Sequence, residues 1–172
     1  MSSTGPTTTR PRRSERRSHA DYTGAVYGSM LAASVVIGAG ALGTFPRLEL
    51  VVLLLLTGLV FWVGHVHAQL FGALLAQGPP DRPTVLRVCK EEWPIVEAAV
   101  PPALAVAVSP LLGLDLEGAV WLSVAVAVAG QVGWSATGAR RAGASWRLVS
   151  ATAAVNLLLG LVIISFKIAL TH

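Results

Sequence analysis

Two histidines, His65 and His67, and one glutamate, Glu97, are the side chains whose types are best suited to move a proton or hold a cation. Histidine titrates near neutral pH and ligates metals when neutral. Both histidines fall in the run LVVLLLLTGLVFWVGHVHAQLFGALLA over residues 50–76. That run is long enough to cross a bilayer, and ionisable groups inside a span are costly enough to need a reason. Two residues apart on a helix, the rings point about 200° apart, so they cannot form the two-histidine metal face of an i, i+4 pair. At most one faces the bundle interior. Glu97, near the start of the next apolar segment, is the expected partner of His67. The competing reading makes Glu97 a first-turn carboxylate at the headgroup boundary, favoured by the helix dipole. For the inward histidine, the competing reading is a hydrogen bond that locks two helices. Met30, Gln131 and Asn156 are further candidates for such a pathway, and Gln131 and Asn156 equally suit bridges between helices. No GxSxG, HExxH, phosphate loop or paired-aspartate motif is present, so an enzyme reading has no support and no cofactor is implied. Which metal, if any, would bind is left open.

The elements that must position these groups follow from composition. Of 172 residues, 53% are hydrophobic and only 13% are charged. Soluble domains carry roughly 25% charged residues, so the chain reads as an all-α integral membrane protein. Five transmembrane helices are expected at about residues 22–43, 50–76, 94–113, 117–134 and 146–170, forming one domain over 21–172. In the first, Gly24, Gly28 and Ala32 recur every four residues, a small-residue row that lets another backbone approach. Ser29, Met30 and Ser34 are expected to face the bundle interior. Gln77-Gly78-Pro79-Pro80 stops the second span. Val85, Leu86, Cys89 and Trp93 then share a face of a short amphipathic helix, expected to lie at the interface between spans two and three. Pro94 forces a kink or restart, and Pro101-Pro102 frees carbonyls within span three.

Charge orients the bundle. The first 20 residues are a Ser/Thr/Pro/Arg tail, expected to be disordered, with five arginines close to the first span. The 77–93 region and the 135–147 loop carry three Lys or Arg each, whereas the opposite connections carry Arg47 alone. The positive-inside rule then puts the N-terminus in the cytoplasm and the C-terminus outside the plasma membrane. The tail can also touch anionic lipid headgroups, and the excess basic charge implies topology rather than nucleic acid. A secretory signal peptide is the rival reading of the N-terminus, without a clear A-x-A site. Cys89, the sole cysteine, reads as a small apolar residue at the membrane surface, with palmitoylation or reactivity as the other reading.

The five-span, N-in, C-out pattern resembles the vacuolar iron transporter family, best over residues 101–170. There a Pro/Ala-rich span ending PLLG precedes an Ala/Val/Leu helix, the loop GARRAGASWR and a final span. The resemblance implies a shared architecture with a cytoplasmic insert between spans two and three. It also implies a homodimer through the Gly-rich first span. The metal-handling residues do not carry over: AVYGSMLAAS lacks the family's Asp, and HVHAQ stands where the family has Met and Glu. Two functions are therefore expected. In one, His65, His67 and Glu97, with Met30, Gln131 and Asn156, line a cation or proton pathway. In the other, the chain is a non-transport scaffold or assembly partner whose polar residues only lock helices.

Overall fold

The computed structural model describes residues 11–42 and 45–170, and these are helical apart from short connections. Six helices follow in order: α1 (Pro11–Leu42), α2 (Arg47–Gln77), α3 (Arg82–Glu92), α4 (Pro94–Val108), α5 (Leu116–Arg141) and α6 (Trp146–Leu170). A 3-10 turn, Ser109–Leu112, follows α4. Five segments are long and apolar enough to span a membrane, α3 and α4 together supplying the third, Arg82–Leu112. Of the tail expected over 1–20, residues 1–10 lie outside the described residues, and 11–20 are helical backbone continuous with the first span.

Local chemistry sets the helix ends. Pro46 stands at the start of α2, and Gly78, at φ 85°, closes it by donating its N–H to the Leu74 carbonyl. Asp81 caps α3 by accepting from the Thr84 amide at 3.1 Å. Hydrogen bonding from Thr84, side chain first and then main chain, holds the Asp81 carboxyl below the ordinary carboxylate value. A depressed folded-state pKa means that this cap supports α3 above the unfolded value and is lost as pH falls through the folded one. Trp93 alone separates α3 from α4, and its carbonyl accepts from Val96 and Glu97 at 2.9 and 3.3 Å, so the restart at Pro94 needs no loop. Asp115 caps α5 through the Gly118 amide at 2.8 Å, while Arg140 and Arg141 occupy its last turn, complementing the helix dipole.

The bundle is centred on α1, α4 and α5, with α2 packed on α4 and α1, and α6 on α5 and α1. Half of the α1 span is buried against 17% of the spans in α2 and in α6, so the two most apolar helices are the peripheral ones. Their outward side chains, among them Leu56, Val60, Leu158 and Val162, form an apolar surface suited to lipid. The core is built of small residues and β-branched aliphatics: Ala33, Val36, Val106, Val124 and Ala127 are almost wholly enclosed, with Leu50 and Leu54 reaching in from α2.

Close backbone approach makes this possible. A β-carbon added at Gly28 would sit 2.7 Å from the Ile95 carbonyl oxygen and 2.9 Å from the Ala98 β-carbon. The row Gly24, Gly28 and Ala32 is thus buried against neighbouring helices of the same chain, with Gly24 and Gly28 on α4. Two further expectations are corrected. Ser34 faces outward and bonds its own helix at the Met30 carbonyl (2.9 Å). On α3 the buried residue is Val88, while Leu86 is 63% exposed. The reason is that α3 folds back against α2, where the Trp62 indole N–H donates to the Cys89 carbonyl at 3.0 Å. Trp62 also meets the Trp93 ring edge-on at 5.5 Å.

At the opposite end, Arg47 ties α2 to the α4–α5 connection, donating through Nε to Ser109 Oγ (3.2 Å) and through a terminal nitrogen to the Leu114 carbonyl (2.7 Å). Two expected outcomes follow for thermal unfolding in detergent. Gly28→Ala costs about 1–3 kcal/mol through overpacking, whereas Gly38→Ala, with nothing within 4 Å, costs nothing. Arg47→Leu costs about 1.5–3 kcal/mol by removing charge-assisted hydrogen bonds, and Arg47→Lys, lacking the two-pronged guanidinium, restores only part.

Candidate functional site

The register between α2 and α4 decides which candidate residues can meet. A β-carbon at Gly58 would lie 3.1 Å from that of Ala99 and 3.7 Å from the Val96 α-carbon. Gly58 is therefore level with Glu97. Trp62, one turn on, is level with Cys89 and Trp93. His67 lies nine residues beyond Gly58, a displacement of about 13 Å at ~1.5 Å per residue. It is therefore beside α3, past the start of α4. The expected His67–Glu97 pair does not form, and no ion pair joins them among the described residues. Along α2 the histidines lie beyond the level of Glu97, towards Gln77. The physical reason is the length of α2: anchored by Arg47 at one end and seated at Gly58, its 31 residues overrun α4 by several turns.

His65 is the half-buried histidine. Its ring centroid is 5.0 Å from that of Tyr27 on α1, and Nδ1 is 3.1 Å from the Phe61 carbonyl, a hydrogen bond when Nδ1 carries the proton. Val60, Phe61, Gly64 and Ala68 complete its shallow surroundings. His67 is exposed and stacks on Phe71 at 6.3 Å. Among the described residues, no three His, Cys, Asp or Glu side chains converge to hold a metal ion.

Glu97 instead opens into a pocket of about 330 Å³, lined also by Tyr22, Lys90, Trp93, Trp134 and Arg141. Four helices and the α3–α4 junction contribute these groups. Tyr22 is wedged against Gly138, where an added β-carbon would come within 2.9 Å of it. Its ring lies 6.0 Å from that of Trp134 and 5.7 Å from the Arg141 guanidinium. Neither cation forms an ion pair with Glu97 among the described residues; the pair that is present, Arg87 with Glu91 at 3.9 Å, is elsewhere on α3.

Met30 and Asn156 share a second space, a groove of about 470 Å³ between α1, α5 and α6, with Tyr27, Ser135 and Thr152 also on its walls. Beneath it, Gln131 is fully buried and donates through Nε2 to the Asn156 carbonyl (3.1 Å) and Oδ1 (3.2 Å). The Asn156 amide in turn donates to the Thr152 carbonyl at 3.0 Å. Among the described residues Gln131 Oε1 has no hydrogen-bond partner. The six pathway candidates thus divide among three places: His65 and His67 on α2, Glu97 in its pocket, and Met30, Gln131 and Asn156 at the groove.

Sequence reasoning missed the setting of Glu97 and the clamp made by Arg47. Lys90 and Arg141 entered it only as topological charges, yet lone charges flanked by Trp and Tyr at span ends were the available signal. Ser123, whose hydroxyl donates to the Pro102 carbonyl at 3.1 Å, was likewise a tie to the proline pair. Because Gln131 already carries an orphan acceptor, Gln131→Leu should change stability by less than about 1 kcal/mol. Asn156→Leu removes an acceptor from Gln131 as well as the Asn156 bond to Thr152, and should cost about 1–3 kcal/mol. Chemical denaturation in mixed micelles orders the two.

Comparison with protein-family models, curated proteins and solved structures finds no match. Nothing beyond the chain's own residues therefore bears on the resemblance to vacuolar iron transporters.

Proposed function

We propose that this chain is a non-transport scaffold or assembly partner of the plasma membrane, N-terminus cytoplasmic and C-terminus outside, whose polar side chains hold helices together. The single observation that carries the reading is the separation of the ionisable candidates from the bundle core. The 15 residues of α4 and the 4 of the turn after it cover about 30 Å, the thickness of a hydrocarbon layer. With that layer set between the level of Trp93 and the level of Arg47, His65 and His67 fall in the headgroup region of the basic side. There an imidazole costs little and needs no transport role. Glu97 stands one turn inside that boundary. Towards Arg47, the space between α1, α4 and α5 is filled by the apolar cluster of Val36, Leu54, Val106 and Val124.

The same placement lays α3 along the headgroup layer, with Trp62, Trp93, Trp134 and Tyr22 as an interfacial belt and the basic tail against anionic lipid. One observation favours the transport reading instead: the orphan Gln131 Oε1, buried beneath a groove that reaches the basic end, would suit a polar solute entering from that side.

Reconstitution separates the two. In liposomes carrying an internal pH dye and a potassium diffusion potential, proton uptake should equal that of empty liposomes. His65→Leu and His67→Leu should leave it there. Uptake above that baseline, abolished by Gln131→Leu, would overturn the scaffold reading. Orientation is read independently in a Cys89→Ser background: a cysteine at Gly113 should label from outside with an impermeant maleimide, and one at Gly143 only after permeabilisation.

A further inference from the structure

The pocket around Glu97 holds charges of both signs that do not neutralise one another. Lys90 and Arg141 line the same 330 Å³ as the carboxylate, yet no ion pair joins them among the described residues. A purely anionic ligand would meet the Glu97 carboxylate, and a purely cationic one would meet Lys90 and Arg141. A ligand bearing both charges satisfies all three groups.

The walls add to this. Trp93 and Trp134 offer indole faces, the side chains that attract an ammonium most strongly. The Arg141 guanidinium, 5.7 Å from the Tyr22 ring centre, is held by a ring itself wedged on Gly138, and guanidinium and ammonium groups are the usual partners of phosphate oxygens. Given the bilayer placement proposed above, on which this step rests, the pocket straddles the edge of the hydrocarbon layer on the basic side, with Lys90 on the headgroup side of Trp93 and Glu97 one turn inside it.

We infer that this pocket binds a phosphate-ammonium zwitterion, with the phosphate on Lys90 and Arg141 and a primary ammonium between Glu97 and the faces of Trp93 and Trp134. Phosphatidylethanolamine carries that group, and so does free phosphoethanolamine. A trimethylated ammonium cannot donate to Glu97, so phosphatidylcholine fits less well.

Native mass spectrometry of the purified full chain in detergent, offered equimolar dioleoyl-phosphatidylethanolamine, -phosphatidylglycerol and -phosphatidylcholine, tests the assignment. The ethanolamine lipid should be retained about tenfold over the other two, the ratio expected for one charge-assisted hydrogen bond. Glu97→Gln should bring it down to the level of the glycerol lipid, and the Lys90→Ala/Arg141→Ala pair should weaken all three. Displacement of the bound lipid by free phosphoethanolamine at equal concentration assigns the site to a soluble zwitterion; retention of the lipid assigns it to the headgroup. A wild-type protein with native helix content and no ethanolamine preference overturns the proposal, as does a Glu97→Gln protein that keeps it. The cysteine labelling described above reads the bilayer placement separately, so failure of that placement is not mistaken for failure of the site.

Discussion

The approach of α1 to α4 at Gly28 is the constraint on which the rest of the bundle depends. With the Ile95 carbonyl and Ala98 where a Gly28 side chain would begin, any side chain at this position would push these two helices apart. In a bilayer, lipid tails are as apolar as leucine, so no hydrophobic force drives helices together. Close van der Waals contact and interhelical hydrogen bonds must do so instead. The small residues of α1, α4 and α5 supply the first. Ser123 on Pro102, Gln131 on Asn156 and Arg47 on Ser109 and Leu114 supply the second.

This division explains why the richest apolar sequence is not the centre of the fold. The leucines of α2 and α6 are too bulky to admit a second backbone closely, and most of them are exposed. Alanine and glycine, which look featureless along the chain, occupy the interior because only they permit the approach. The closest approach of α2 to α4 that a glycine permits is at Gly58, against Ala99 and Val96. That approach, with the Arg47 clamp, goes with a register that carries the histidines past α4 and leaves Glu97 among aromatic and basic neighbours.

Polar groups therefore sort by depth. At one end Arg47 serves the α4–α5 connection. Between the ends, serines, Gln131 and Asn156 bond carbonyls of their own or adjacent helices. At the other end, Tyr22, Trp62, Trp93 and Trp134 gather with Lys90, Glu97 and Arg141, and among the described residues no ion pair joins Glu97 to either cation.

By itself the sequence determined that five segments suit a membrane, roughly where most of them begin and end, and that Gly24, Gly28 and Ala32 form a packing row. These are properties of composition and of 3.6-residue periodicity, carried within each segment. Only the tertiary structure decided that Gly24 and Gly28 pack on α4, that Ser34 turns outward, that Val88 rather than Leu86 is the buried residue of α3, and that His67 and Glu97 stand about 13 Å apart in level. Those outcomes depend on the axial offset between helices. Offset shows in contacts such as Gly58 on Ala99, and neither hydropathy nor spacing along one helix records how far its neighbour has slid.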